Sequence, residues 1–175
     1  MTINLNPERL CHEKRTGERI SAKTGTKTKK WLTSGFRVEI SGLPCENVFN
    51  IESFTLKQTL TEDHSGKTRE RTQHPTKIEV PNIKLTFSAT DGSPWENWFN
   101  SFVIEGKCAD GDELKGEIMI LGPNHKSVLG KIELLHVGIM SLQPTKYNAK
   151  KGRITRMEAK LYVEEMKFVF NEADA

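Results

Sequence analysis

After Ser34, apolar and polar residues alternate with a period of two over most of the chain. That pattern commits the region to strands, because only an extended backbone sends successive side chains to opposite faces. In GFRVEISGL, Phe36, Val38 and Ile40 share one face and Arg37, Glu39 and Ser41 the other, with Gly42 and Pro44 ending the strand. VFNIESFTLKQTL reads as one longer strand in which Phe54, Leu56 and Leu60 share a face. The polar stretch TEDHSGKTRERTQHP reads as a long hairpin loop. TKIEVP and NIKLTFS alternate again, with Pro81 as a break between them.

The second half continues with GEIMILGP, GKIELLHVGIMSLQP and RMEAKLYVEEMKFVF. Gly138 stands where a bend or bulge is permitted. In the last segment Leu161 and Val163 lie on one parity, and Met166, Phe168 and Phe170 on the other. Either a bulge at residues 164–165 or a strand buried in different directions along its length accounts for the switch. The sum is seven or eight strands in a mainly β fold, an antiparallel β-sandwich or barrel with one flanking α-helix.

That helix is expected over about residues 93–105, with Ser93 as N-cap, Pro94 in the first helical position and Glu96 completing a capping box. Trp95, Trp98, Phe99, Phe102 and Val103 then form one apolar stripe, and Gly106 is a natural stop. An aromatic stripe at helical spacing reads as the plug of a sheet or barrel.

Residues 1–34 have neither period. They carry eight Lys or Arg against three Glu, a net charge of +5 in a chain of +3, so residues 35–175 hold −2. A segment so poor in large apolar residues cannot bury enough surface to offset chain entropy, and it reads as a flexible basic arm in front of a β-barrel domain over 35–175. Trp31 and Leu32 are candidate anchors for docking the arm onto another protein subunit. Lys67, Arg69 and Arg71 in the polar loop are further candidate assembly residues. With a hydrophobic share of 35%, the chain supports one core rather than two. No apolar run approaches the roughly 20 residues of a membrane span, and MTINLNPERLCHEK lacks the apolar region of a secretory leader.

Catalytic, cofactor-binding and metal residues are all read as none. Cys11, Cys45 and Cys108 are an odd set at wide spacings, without the paired spacing of a disulfide framework or zinc site. The DGDE run at 110–113 opens like a calcium loop, but Leu114 and Lys115 occupy later ligand and glycine positions, so it reads as a solvated turn. LGPNHKSVLG lacks phosphate-loop spacing. His136, between Leu135 and Val137, reads as a satisfied structural histidine. No enzyme is expected.

The order of elements, with FRVEISGL, then W-x-x-W-F, then GEIMIL, IELLHVGI and LYVEEMKF, resembles the tail tube proteins of contractile phages and extracellular contractile injection systems. The resemblance covers about residues 35–170. HVGI replaces the family's commoner HEGL, so Val137 stands where a carboxylate is often found. The resemblance implies a closed or nearly closed barrel, six copies in a ring, and rings stacked into a hollow tube inside a contractile sheath. It implies partners in the chain itself, in sheath and baseplate proteins, and in DNA or protein cargo passing the lumen, with no cofactor and no membrane anchor. Such a subunit is made in the cytoplasm and assembled into a virion or extracellular particle. The basic arm exceeds the family's usual N-terminus and suits an initiator or terminator variant. Two other readings are a monomeric β-barrel module that binds nucleic acid through the arm, and a small-ligand carrier.

Overall fold

The alternating segments become strands in the computed structural model, which describes residues 32–63, 72–145 and 155–170. The order is β1 (Phe36–Ile40), β2 (Val48–Ile51), β3 (Lys57–Asp63), β4 (Thr72–Glu79), β5 (Ile83–Ser88), α1 (Gly92–Phe99), β6 (Leu114–Leu121), β7 (Val128–Pro144) and β8 (Arg156–Phe170). The described residues form two compact units, the hairpin Lys57–Glu79 and a larger body holding the other strands. Among them, no helix is long and apolar enough to cross a membrane.

The body is a six-stranded antiparallel sheet in the order β1-β6-β7-β8-β5-β2, curled into a nearly closed barrel. Its core gathers the predicted apolar positions, including Val38, Ile40, Ile83, Leu85, Phe87, Leu161 and Val163. Trp95 plugs it. The indole is fully buried, stacks on Phe87 at 4.6 Å between ring centroids, and donates from Nε1 to the Pro44 carbonyl at 3.2 Å. Between β1 and the segment leading into β2 the barrel stays open along a groove of about 750 Å³, lined by Phe36, Val38, Leu43 and Val48.

Four expectations are corrected. The segment 48–60 is two strands rather than one, interrupted after Ile51, and β3 belongs to the hairpin unit instead of continuing β2. The hairpin loop is shorter than its polarity suggested, because β3 extends to Asp63 and β4 begins at Thr72. Polar residues are compatible with a ladder whose faces are mostly in solvent, as these are. The helix starts at Gly92 with Asp91 as N-cap, and Ser88 instead caps a preceding 3₁₀ turn by accepting from the Thr90 amide. Pro94 is tolerated because first-turn amides have no partner inside the helix. Finally, a π turn over Asn100–Ile104 takes in an extra residue, which rotates Val103 out of the stripe while Phe102 stays buried.

The parity switch in β8 is not a bulge against its neighbour. The β7–β8 register runs unbroken from Gly130↔Phe170 to Ile139↔Leu161. Both strands turn together, so Val163 faces the core while Phe168 and Phe170 are exposed. The bulge lies on the other side of β7, where register passes from Leu114↔Val137 to Gly116↔Leu134, placing an extra residue in β7. His136 takes the left-handed conformation there, with φ of 55°. Gly138 is needed for a different reason, since its missing side chain leaves room for the ring of Tyr162.

Candidate functional site

Among the open strand edges of the described residues, three belong to β1, β2 and β8 of the body. β1 pairs only with β6, and β2 only with β5. The third lies on β8, because β5 ends its pairing at Ile83↔Leu161 and leaves residues 162–169 bonded on the β7 side alone. Apolar side chains cluster beside this last edge, with Phe168 and Val169 on opposite faces and both more than a third exposed. An exposed edge with apolar side chains on both faces is a template for pairing with another chain.

The open edges bound a four-stranded strip, β1-β6-β7-β8. One face carries the apolar row Val38, Ile118 and Ile132, with Phe168 at its exposed end. The other face is largely charged, although Met119 and Val169 stand in the row of Arg37 and Lys131. Arg37, Lys115, Lys131 and Lys167 lie there with Glu39, Glu117, Glu133 and Glu165, four charges of each sign. They are laced in pairs: Lys131 to Glu133 at 2.7 Å and to Glu117 at 3.6 Å, Lys167 to Glu165 at 3.3 Å, and Arg37 to Glu39 at 3.8 Å. The hydrogen bond from Lys131, then its charge, lowers the Glu133 carboxyl, and Lys131 is raised in turn. Such solvated pairs contribute little stability, so the pattern is informative mainly as a surface potential.

At the bend of the strip a smaller cluster forms. The Glu113 side chain is only 7% exposed. Its Oε1 accepts from the Tyr162 hydroxyl at 2.7 Å, and its Oε2 lies 2.7 Å from His136 Nδ1. Burial first, then the bond to Glu113, pushes the Tyr162 hydroxyl well above its ordinary range. A Cβ on Gly138 would overlap this ring. Gly138→Ala is therefore expected to displace Tyr162, break its bond to Glu113 and cost about 1–3 kcal/mol in urea unfolding. An unchanged unfolding midpoint would show that the ring is free to move aside.

No family model matches the chain, and no curated protein matches it in sequence. Solved structures do. The chain superposes on one chain of the extended-state sheath–tube complex of PVC, an extracellular contractile injection system, with a TM-score of 0.69 and 14% identity over 81% of this chain and 93% of that one. Against the tube-terminating cap of the anti-feeding prophage the TM-score is 0.73, with 15% identity over 88% of this chain and 100% of that one. Hcp1 from Flavobacterium johnsoniae follows at 0.52, with 11% identity over 80% and 98%.

This is the tube-protein fold of contractile injection systems.

Of the assembly residues expected from sequence, only Leu32 lies among the described residues of this tube fold. Leu32 is about half exposed at the edge of the described chain. Trp31, Lys67, Arg69 and Arg71 lie outside the described residues, as does the remainder of the basic arm. The open edge of β8 was missed, although the parity switch pointed to it. Phe168 and Phe170 fell out of phase with Leu161, and both are exposed beside that edge. The Glu113 cluster left no local signal. Residues 110–112 do form an exposed turn, but Glu113 turns inward from its end.

Proposed function

We propose that the chain is a structural subunit of the inner tube of a contractile phage tail or contractile injection system. Six copies form a ring, rings stack, and the stack is a conduit for DNA or protein cargo within a sheath, seated on a baseplate. The observation carrying this reading is the pair of open ladders on the β1-β6-β7-β8 strip, in a fold shared with a sheath–tube complex. Strand direction alternates across the strip. Setting β8 of one copy beside β1 of the next therefore continues an antiparallel sheet, and a closed ring of such joints leaves no strip edge unpaired. The charged face would then line the lumen. With four charges of each sign it presents no net field to either a polyanion or a protein, so it suits passage rather than retention.

The hairpin Lys57–Glu79 would contact the neighbouring ring. It is a two-stranded ribbon with Leu56 and Ile78 exposed beside and along it, and isolated ribbons are marginal in water until covered. The basic arm, with Trp31 and Leu32 as anchors, would reach a neighbouring subunit. The role is mechanical and involves no catalytic step. A terminator variant is the second reading, favoured by the match to the anti-feeding prophage cap at 0.73 over that whole chain.

Sedimentation velocity with negative-stain imaging tests the proposal. Rings near six monomer masses that stack into hollow rods are expected of a bulk subunit, and rings that do not stack of a terminator. A chain that stays monomeric both alone and with preformed tube ends would overturn both. Deleting residues 61–76 or 1–34 should shorten the rods, and normal rod length after a deletion removes that segment from the stacking contact.

A further inference from the structure

We propose that Glu113, His136 and Glu164 form a binding site for a divalent transition metal of the zinc class, which staples the entry to β6 onto β7 and β8 at the bend of the sheet. One ligand atom from each residue lies within 4.8 Å of the others. Four-coordinate zinc, with bonds of about 2.1 Å, holds its ligand atoms about 3.4 Å apart, so small side-chain movements close the set around an ion. One imidazole nitrogen with two carboxylates is a borderline donor set, better suited to zinc than to calcium or magnesium. Water completes the coordination.

Three features of the surroundings support a cation here. Two carboxylates converge, one of them on a side chain only 7% exposed, and an ion between them removes their repulsion. Tyr162 donates to Glu113 Oε1, which orients the carboxylate and leaves Oε2 directed at His136, as outer-shell groups do in metal sites. The β7 bulge holds His136 at positive φ, a conformation uncommon outside glycine, and so aims its ring across β6 and β8. On binding, the Nδ1 contact to Glu113 gives way to two metal bonds, with the neutral imidazole ring as the ligand. The site stands independently of the tube reading and departs from the expectation that the chain holds no metal.

Calorimetric titration of the full chain with zinc chloride, paired with thermal melts in zinc and in EDTA, tests the site. One ion per chain is expected, with a zinc-dependent rise in Tm. The Cys11→Ser and Cys108→Ser variants should bind as the wild type does, because neither thiol belongs to the proposed set. His136→Asn, chosen because asparagine tolerates the left-handed backbone, and Glu164→Gln at an exposed position should each weaken binding at least about 100-fold with circular dichroism unchanged. Tyr162→Phe should weaken it about 10- to 100-fold without abolishing it. Equal zinc binding by wild type and Glu164→Gln, loss only on removing a cysteine, or no binding at all would each overturn the proposal.

Discussion

Trp95→Ala is expected to destabilise the body by about 3–5 kcal/mol in urea unfolding, the range for truncating a large buried aromatic. The side chain is fully buried, so its loss leaves a cavity that surrounding strands cannot fill without giving up their register. Phe87 loses its stacked partner, and the Pro44 carbonyl loses the indole N–H. Trp98 and Phe102, which follow in a chain of ring contacts each 6.0 Å between centroids, lose the anchor that docks α1 on the sheet. A domain of this size has about 5–15 kcal/mol of stability in total, so the variant sits near the unfolding threshold. A loss below about 1 kcal/mol would show that the helix packs on the barrel without plugging it.

Lys167→Pro is expected to leave the monomer folded and abolish rings. The Thr155 carbonyl accepts from Ala89 on the β5 side, and the Arg156 carbonyl accepts from Thr145 on the β7 side. Because β8 pairs with β7 without an extra residue of its own, the alternation carries forward. The backbone groups of Val163, Glu165, Lys167 and Val169 therefore point to the open edge. Proline at 167 removes an outward donor while sparing the β7 ladder, and the lysine side chain is more than half exposed, so little packing is lost. Each joint should weaken by about 1–3 kcal/mol, or about 5- to 150-fold, and a closed ring accumulates that loss at every joint. On the proposed edge pairing, sedimentation velocity should show monomer for the variant and rings for the wild type. Rings of normal stability would mean that copies meet through another surface. Glu165→Pro, on the same parity, should act alike.

Much of the fold was legible because side-chain direction is set locally. Phe36, Val38 and Ile40 announced a half-buried strand, and Trp95, Trp98 and Phe102 announced a helix that lies on a core. Failures came where local signals were ambiguous. Ser93 is a competent cap, but Ser88 captured the chain one turn earlier. Gly138 looked like a bulge residue, yet His136 took the left-handed backbone while the glycine admitted an aromatic ring. Strand character in 48–60 was correct, but its break after Ile51 was invisible because apolar residues continue across it as Phe54 and Leu56.

A mainly β fold with one aromatic helix as its plug was written in the residue order, since a period of two or of 3.6 is a property of neighbouring residues. Only the tertiary structure decided which edges stay open and which polar groups meet. Residues 162–169 lie on an edge because β5 stops opposite Leu161. Glu113 reaches His136 across 23 residues and Tyr162 across 49. Strand register and barrel curvature bring such groups together, and both arise from pairing between distant segments that no local spacing encodes.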